Sequence, residues 1–476
     1  MNKMFKMKNK DDENGITLVA LVVTIIVLLI LTGITVSTTV GDNGLLTVTK
    51  NIKENIAKAE DEGQAQVDAV KNSQYLEDGT VIVNDKNAPT INSMDVTRLS
   101  DTSFKISVNV TELESGIAKI EYSIDGGKSF VSSSDSKEIS YTFKELTAGF
   151  EEYNIVVKAT DSSGNSSTAS KRFQMVTESL IPNGFYYVGG TKYSGIVISS
   201  SANDKEKYKG KDVVGTDLDG NYQYVWIPCT TDTTSSELQY ARTEWGVEDD
   251  FNTRAIKDEL TLEDASITYS DIDLQYGVTP EVTKQIVAQV KSEKESVSKY
   301  GGYYIARYEV GNINGTTVIK YNQKPYGDII WSEAYELANN IITKSNANSY
   351  LCSSYAWDTA VNFIQNNSEA KNYATSIEGV NGNWNPQEVK DKNGQVIKPA
   401  GTSQQLNTGL TTQFCNIFDM GGNEGEFTTE IEPGTSESII VRSGEYPFMF
   451  PAGIRWDASA ALSLDSYGFR STLFLK

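Results

Sequence analysis

Three cysteines and no histidine define the chemistry open to this 476-residue chain. Without an imidazole there is no Ser-His-Asp or Cys-His relay, no His-ligated zinc and no general base with an ordinary pKa near neutrality. Cys229, Cys352 and Cys415 include no C-x-x-C pair. In an exported protein an odd count allows one disulfide and one free thiol, with the pairing left open. The stretch "DLDGN" (Asp217 to Asn221) sets carboxylates at alternate positions, but its glycine is misplaced for an EF-hand loop, so it reads as a turn. Reaction chemistry is not expected, and the chain is not read as an enzyme.

Charge narrows the partners. The net charge is −21, and Lys3, Lys6, Lys8 and Lys10 put +4 in the first ten residues, which leaves −25 for the rest. An acidic body argues against nucleic acid, because phosphate binding needs clustered Lys and Arg.

Where these residues work depends on "GITLVALVVTIIVLLILTGITV" (Gly15 to Val36), which has no counterpart elsewhere in the chain. As a helix, the 21 residues after Gly15 span about 30 Å, the thickness of a bilayer core. Four lysines precede the run and no basic residue follows until Lys50, so the positive-inside bias places the start in the cytoplasm and the body outside the cell membrane. A removable signal has a shorter apolar core with a small-x-small site after it, whereas the marked processing feature here, Asn14-Gly15, precedes the run. Beyond "GDNG", Ile52, Ile56, Ala59, Gly63, Val67 and Val70 recur at helical spacing. They predict a stalk helix, or a helix packed on a downstream domain, so residues 16–80 read as a transmembrane and stalk segment.

From residue 88 to 176 the period changes from 3.6 to 2. Phe104 to Val110, Ile117 to Ile124 and Tyr153 to Thr160 alternate apolar and polar residues between turn clusters "DGG" and "DSSGNSS". Short strands at this spacing predict a β-sandwich without a cysteine staple.

Residues 181–476 begin a further domain. Ile181 to Ser199, Asn221 to Cys229 and Gly301 to Gly311 read as strands, while Pro280 to Lys299, Trp331 to Lys344 (with Ser332 as cap) and Ser353 to Gln365 read as helices. Strands and helices without regular alternation predict an α+β domain.

Three resemblances sharpen these expectations. The basic start, Gly15, Thr17 and Leu18 resemble the leader of type IV prepilins, which implies a leader of residues 1–15 cut by a prepilin peptidase between Gly15 and Ile16, with the helix retained. The family's Glu at the fifth mature position is Ala20 here, which favours a tip or minor component, or a plain membrane-held protein, over a repeating pilus or secretion-filament subunit; an ordinary single-pass anchor is the alternative. "GIAKIEYSIDGGKSF" followed by "VVKATDSSGNSS" resembles bacterial immunoglobulin-like and fibronectin-type modules, which mostly serve as spacers.

Over 181–476, "GGYYIARYEV", "WSEAYELA", "AWDTAVNF", "NIFDMGGNEGEFTTE" and "IIVRSGEYPF…GFRSTLFL" occur in the order seen in the formylglycine-generating enzyme (sulfatase-modifying factor) family. That resemblance implies a variant of the C-type lectin fold. Active members bind copper through a cysteine pair in the stretch matching Val441 to Arg470; no cysteine stands there, so no copper is expected and the domain reads as catalytically silent. The family's structural calcium lies near G-N-x-W-E-W, here "GNEGEF", which puts Asn423 and Glu426 forward as metal ligands. Tyr446, Phe448, Arg455, Trp456 and Tyr467 are contact-forming residue types in a region that lines a ligand face in lectin-like folds. The function expected is that of a membrane-anchored surface protein whose head binds an unknown protein or glycan for adhesion. The alternatives are a minor pilin or pseudopilin with an assembly role, and a formylglycine-generating oxidase.

Overall fold

The computed structural model describes residues 74–75, 81–82 and 85–476 apart from 134, 246–268, 344, 392 and 432–437. The leader, Gly15 and Ile16, the apolar run and the stalk therefore lie outside the described residues. Among the described residues, no helix is long and apolar enough to cross a membrane. The chain forms two compact units, one of Met1–Asn87 with Leu113–Ser115 and one of Ala88–Glu112 with Gly116–Lys476. The first holds a short antiparallel pair, Gln74–Tyr75 with Val81–Ile82.

The second unit opens with an immunoglobulin-like sandwich. Its strands are β1 (Thr90–Ser100), β2 (Ser103–Thr111), β3 (Ile117–Ser123), β4 (Ser140–Phe143), β5 (Glu152–Asp161) and β6 (Ser166–Gln174). They form two three-stranded antiparallel sheets, ordered β1-β2-β4 and β3-β5-β6. Period-2 alternation turns Phe104, Ile106 and Val108 of β2 inward to meet Ile120, Tyr122, Ile155 and Val157 from the other sheet. Phe104 is the hub, with ring centroids 4.9 Å from Phe173, 5.2 Å from Tyr153 and 5.7 Å from Phe143. Burying such a side chain stabilises by roughly 1.5–3 kcal/mol, so packing substitutes for a disulfide.

The remainder is the head. Its main sheet takes β7 (Tyr186–Gly189), β8 (Ile196–Ser199), β9 (Gln223–Pro228), β10 (Gly302–Ala306), β11 (Ala347–Leu351) and, from the carboxy terminus, β16 (Ser471–Leu475). The order is β11-β16-β10-β9-β8-β7, antiparallel throughout. A second sheet holds β12 (Gly425–Ile431), β13 (Ile439–Arg442), β14 (Arg455–Ala458) and β15 (Tyr467–Phe469), ordered β14-β13-β12-β15 with β12 and β15 parallel. The helices are α1 (Asp271–Gln275), α2 (Pro280–Tyr300), α3 (Trp331–Asn339) and α4 (Ser354–Asn367).

The main sheet is covered on both faces. Tyr224, Trp226, Tyr304 and Ala306 join one apolar cluster with Trp331 of α3 and Phe427 of β12, while Val225, Ile227, Tyr303 and Ile305 join another with Trp357 of α4. Such strands carry continuous rather than alternating apolar runs, which is the pattern of "YVWIP". Helix α2 is capped by Thr279, whose Oγ1 accepts from Val282 N at 3.3 Å, and ends at Gly301 in the left-handed region.

Three elements differ from the sequence reading: Ile181 to Ser199 forms two strands, β7 and β8, because the chain turns between Gly190 and Gly195 at positive φ, and α3 and β10 have other ends. Helix α3 begins at Trp331, with Ser332 inside it, because Trp331 is driven into the core and donates Nε1–H to Thr428 O at 2.8 Å. Glu333 then accepts from Ile330 N at 3.2 Å, and the helix stops at Asn339, whose Oδ1 accepts from Leu351 N at 3.1 Å. Strand β10 ends at Ala306 rather than Gly311 because Arg307 turns inward to donate to Asn416 O at 3.1 Å and Val214 O at 2.6 Å.

Sandwich and head are joined by packed chain. Met175 closes the sandwich core, Leu180 and Ile181 enter the head core, and Tyr304 Oη donates to Leu180 O at 2.9 Å. Phe150 of the sandwich meets Trp226 edge-on at 5.5 Å, and Lys192 of the head pairs with Glu151.

Candidate functional site

The stretch "FDMGGNEGEF" turns sharply enough to place four polar residues inside the head. Asp419 and Asn423 have φ of 54° and 68°, conformations that short polar side chains tolerate best, and Gly422 lies between them where a Cβ would press on Asn383 backbone at about 3.0 Å. Asn423 is fully engaged. Its Nδ2 donates to Glu309 Oε2 at 2.6 Å and Leu406 O at 3.2 Å, while its Oδ1 accepts from Asn383 Nδ2 at 2.7 Å and Leu406 N at 3.0 Å. Glu426 pairs with buried Arg470, whose Nη2 lies 2.7 Å from Oε1. Arg470 also donates to Ala306 O at 3.0 Å and to Phe418 O and Asp419 O at 3.1 Å. The oxygens of Asn423 and Glu426 are thus taken by N–H donors with separate partners, and this pair does not form a cradle for a cation.

The surroundings are strongly acidic. Glu309, Asp419, Glu424 and Glu426 are all buried, and Glu309, Asp419 and Glu426 act on the Arg470 guanidinium. Burial, reinforced by Asp419 and Glu424, pushes Glu309 well above the usual carboxylate range, and burial pushes Glu426 up to about 7 against the pull of Arg470. Asp419 is also raised by burial, although Gly409 N at 2.6 Å and Thr411 Oγ1 donate to it.

Glu424 looks outward from this cluster. Its Oε1 accepts from Gln405 Nε2 at 2.6 Å, and its Oε2, buried, has no hydrogen-bond partner. Gln405 Nε2 also donates to Asp465 O at 2.6 Å, and Asp328 N donates to Leu464 O at 3.0 Å, which ties the exposed residues Asp328 and Asp465 to the same rim. A Cβ on Gly468 would overlap Glu424 Oε2, so the absence of a side chain there lets the carboxylate pack against the backbone.

The five residues expected to line a ligand face are only partly presented. Phe448 is 50% exposed, and its neighbour Met449 is 56% exposed. Trp456 sits behind Phe448 at 6.3 Å and Phe450 at 5.1 Å, and Tyr467 lies 6.2 Å beyond Trp456. Tyr446 and Tyr467 are buried, and Arg455 pairs with Glu430. The sequence reading did not single out Met449, whose position beside Phe448 was the available signal.

Beside this stack runs a second ionic network. Asp358 of α4 pairs with Arg442 at 2.5 Å and Arg242 at 3.3 Å, and Glu430 pairs with Arg242 at 2.9 Å. The loop between β13 and β14 is thereby anchored from below.

The described thiols form no disulfide. Cys229 and Cys352 are buried, and burial pushes Cys415 up to about 12. "DLDGN" is a turn: buried Asp204 accepts from Asp219 N and Gly220 N at 2.9 Å, and Asp217 pairs with Lys207 at 3.0 Å.

No family model matches the chain, and no curated protein matches it. Among solved structures it is similar to the PKD1 domain of Vibrio anguillarum Epp, at 16% identity over 20% of this chain and 99% of that chain, with a TM-score of 0.16. It is also similar to the PKD1 domain of the Vibrio cholerae metalloprotease PrtV, at 18% identity over 19% of this chain and 100% of that chain, again with a TM-score of 0.16. With TM-scores this low, the immunoglobulin-like assignment rests on the strand pairing and core of residues 90–175.

Proposed function

We propose that the protein is a binding protein held at the cell surface by its amino-terminal apolar run, with the immunoglobulin-like sandwich as spacer and the head, a catalytically silent relative of the formylglycine-generating, C-type-lectin-like fold, as the contact element. The observation that carries this reading is the tip of the loop between β13 and β14. Phe448 and Met449 are exposed on a stack of aromatic rings, and the loop beneath them is fixed by buried ion pairs. A rigid apolar knob surrounded by polar groups is a low-entropy anchor for a protein or glycan partner.

The test uses the full-length chain on a protein and glycan array. Phe448→Ser with Met449→Ser should abolish the hits seen with the parent while leaving the thermal midpoint unchanged. Hits that survive the double substitution at full strength would refute the assignment of this face. The leader motif at Gly15 favours a second reading, assembly into a filament as a minor subunit, which the mass of the mature amino terminus tests directly.

A further inference from the structure

Lys398 is a buried cation held by carbonyl groups. It ends a short hairpin, Val389–Lys390 with Val396–Lys398, and is fully buried. Its Nζ donates to Trp384 O at 2.7 Å, Gln387 O at 2.8 Å and Thr402 O at 3.2 Å. An ammonium has three hydrogens and no acceptor, so these three carbonyls engage all of them. Burial alone pulls Lys398 below the usual ammonium range, with no carboxylate raising it again. Three carbonyls gathered around one compact positive charge make a cation site whose cation the chain supplies itself. Burying a charge in this way is costly, and what it fixes is the backbone of Trp384.

Trp384 is itself fully buried, and a Cβ on Gly421 or Gly422 would press on its ring at 3.3 or 3.0 Å. Its indole Nε1 donates to Phe450 O at 2.9 Å. That oxygen marks the neck of the loop between β13 and β14, because a Cβ on Gly444 would lie 2.1 Å from it and the two arms of the loop meet there. Phe448 and Met449, the exposed tip, come immediately before the neck. We propose that Lys398 is the positioning residue of this tip: its ammonium fixes the Trp384 backbone, and the Trp384 indole fixes the neck from which Phe448 and Met449 project. Arg442 and Arg455 tie down the two ends of the loop through Asp358 and Glu430, whereas Lys398 and Trp384 act at its neck. That Lys398 serves binding rests on the reading of Phe448 and Met449 as the contact element; that it sets their position does not.

Hydrogen exchange of the full-length chain, read by mass spectrometry, follows the loop without any ligand, since the amides of Tyr446 and Phe448 are bonded to Asn423 O and Glu445 O. Lys398→Met keeps the length of the side chain and removes its charge; it should speed exchange over residues 444–452 by about tenfold and leave residues 90–175 as in the parent. Lys398→Ala, which lacks the atoms from Cγ to Nζ, should exchange as fast, and propylammonium chloride should restore slow exchange where an equal concentration of sodium chloride does not. A side chain that only filled space would give no such rescue. Trp384→Phe removes the indole N–H and keeps the carbonyl that Lys398 holds, so it should loosen residues 444–452 while leaving 396–402 protected. Parent-like exchange over 444–452 in Lys398→Met would overturn the proposal, as would a Lys398→Ala chain indifferent to the amine. If neither Lys398 variant folds, parent-like exchange over 444–452 in Trp384→Phe overturns it. The contact role fails separately: array hits that survive Phe448→Ser with Met449→Ser, beside a loosened loop in Lys398→Met, would remove that role and leave the positioning intact.

Discussion

Replacing Arg470 by Met tests whether the buried charges hold the head together. Arg470 is fully buried and contacts Glu426 at 2.7 Å, Ala306 O at 3.0 Å, and Phe418 O and Asp419 O at 3.1 Å. Breaking a buried pair from one side costs roughly 3–5 kcal/mol, and each abandoned carbonyl adds up to about 1 kcal/mol. Because Glu426 is already raised to about 7, it can take up a proton once its partner is gone, which moves the total toward the lower end. The expected loss is about 4 kcal/mol at pH 8, a fall of roughly 8–16 °C in the thermal midpoint. At pH 5.5 the same substitution should cost less, since Glu426 is then neutral in the variant. Urea unfolding of Arg470→Met, Glu426→Gln and the double variant completes the cycle, with a coupling of at least ~1.5 kcal/mol expected for residues in direct contact. A loss under 1 kcal/mol, or additive single effects, would refute the view that Arg470 is what makes three neighbouring carboxylates tolerable.

The pH dependence of the parent has a definite sign. Burial pushes Glu445 up to about 7, so the folded head binds a proton that the unfolded chain releases, and stability should fall as pH rises from about 4.5 to about 7 and level off above. This group contributes no more than about 3 kcal/mol, and thermal midpoints at pH 5.5 and 8 for parent and Glu445→Gln measure it. Phe104→Ala, at the centre of four sandwich rings, should destabilise that module by about 3–5 kcal/mol in denaturant unfolding while leaving the head's transition in place. An aromatic-disulfide thiol reagent at pH 8 should label the native protein slowly and at no more than one of its three cysteines, and label all three after unfolding; a count of one after full denaturation would reveal a disulfide.

Local elements were legible where a single rule governs them. Period-2 alternation located β2, β3 and β5 to within one or two residues, because one face of each meets the core. Strand β1, "TINSMDVTRLS", carries two register shifts and little buried surface, so alternation could not reveal it. The helical spacing of Val282, Ile286, Val290 and Val297 placed α2 to within one residue, and the structure adds the Thr279 and Gly301 caps. The candidate site was harder to read. Asn423 and Glu426 were conspicuous through their motif, but the partners that occupy them, Glu309, Leu406, Asn383 and Arg470, come from distant stretches that only tertiary packing assembles. Glu424, between the two, gave no signal by spacing. Its unmet oxygen is a property of the fold.

The junction through Met175, Leu180 and Ile181 has a mechanical consequence. Its backbone has side chains sunk in the hydrophobic interior on either side, and Phe150 wedges against Trp226 beside it. A tensile load entering through the sandwich therefore meets no swivel before the knob at Phe448. If the head binds a partner as proposed, shear on that partner is borne by burial already present in the resting protein.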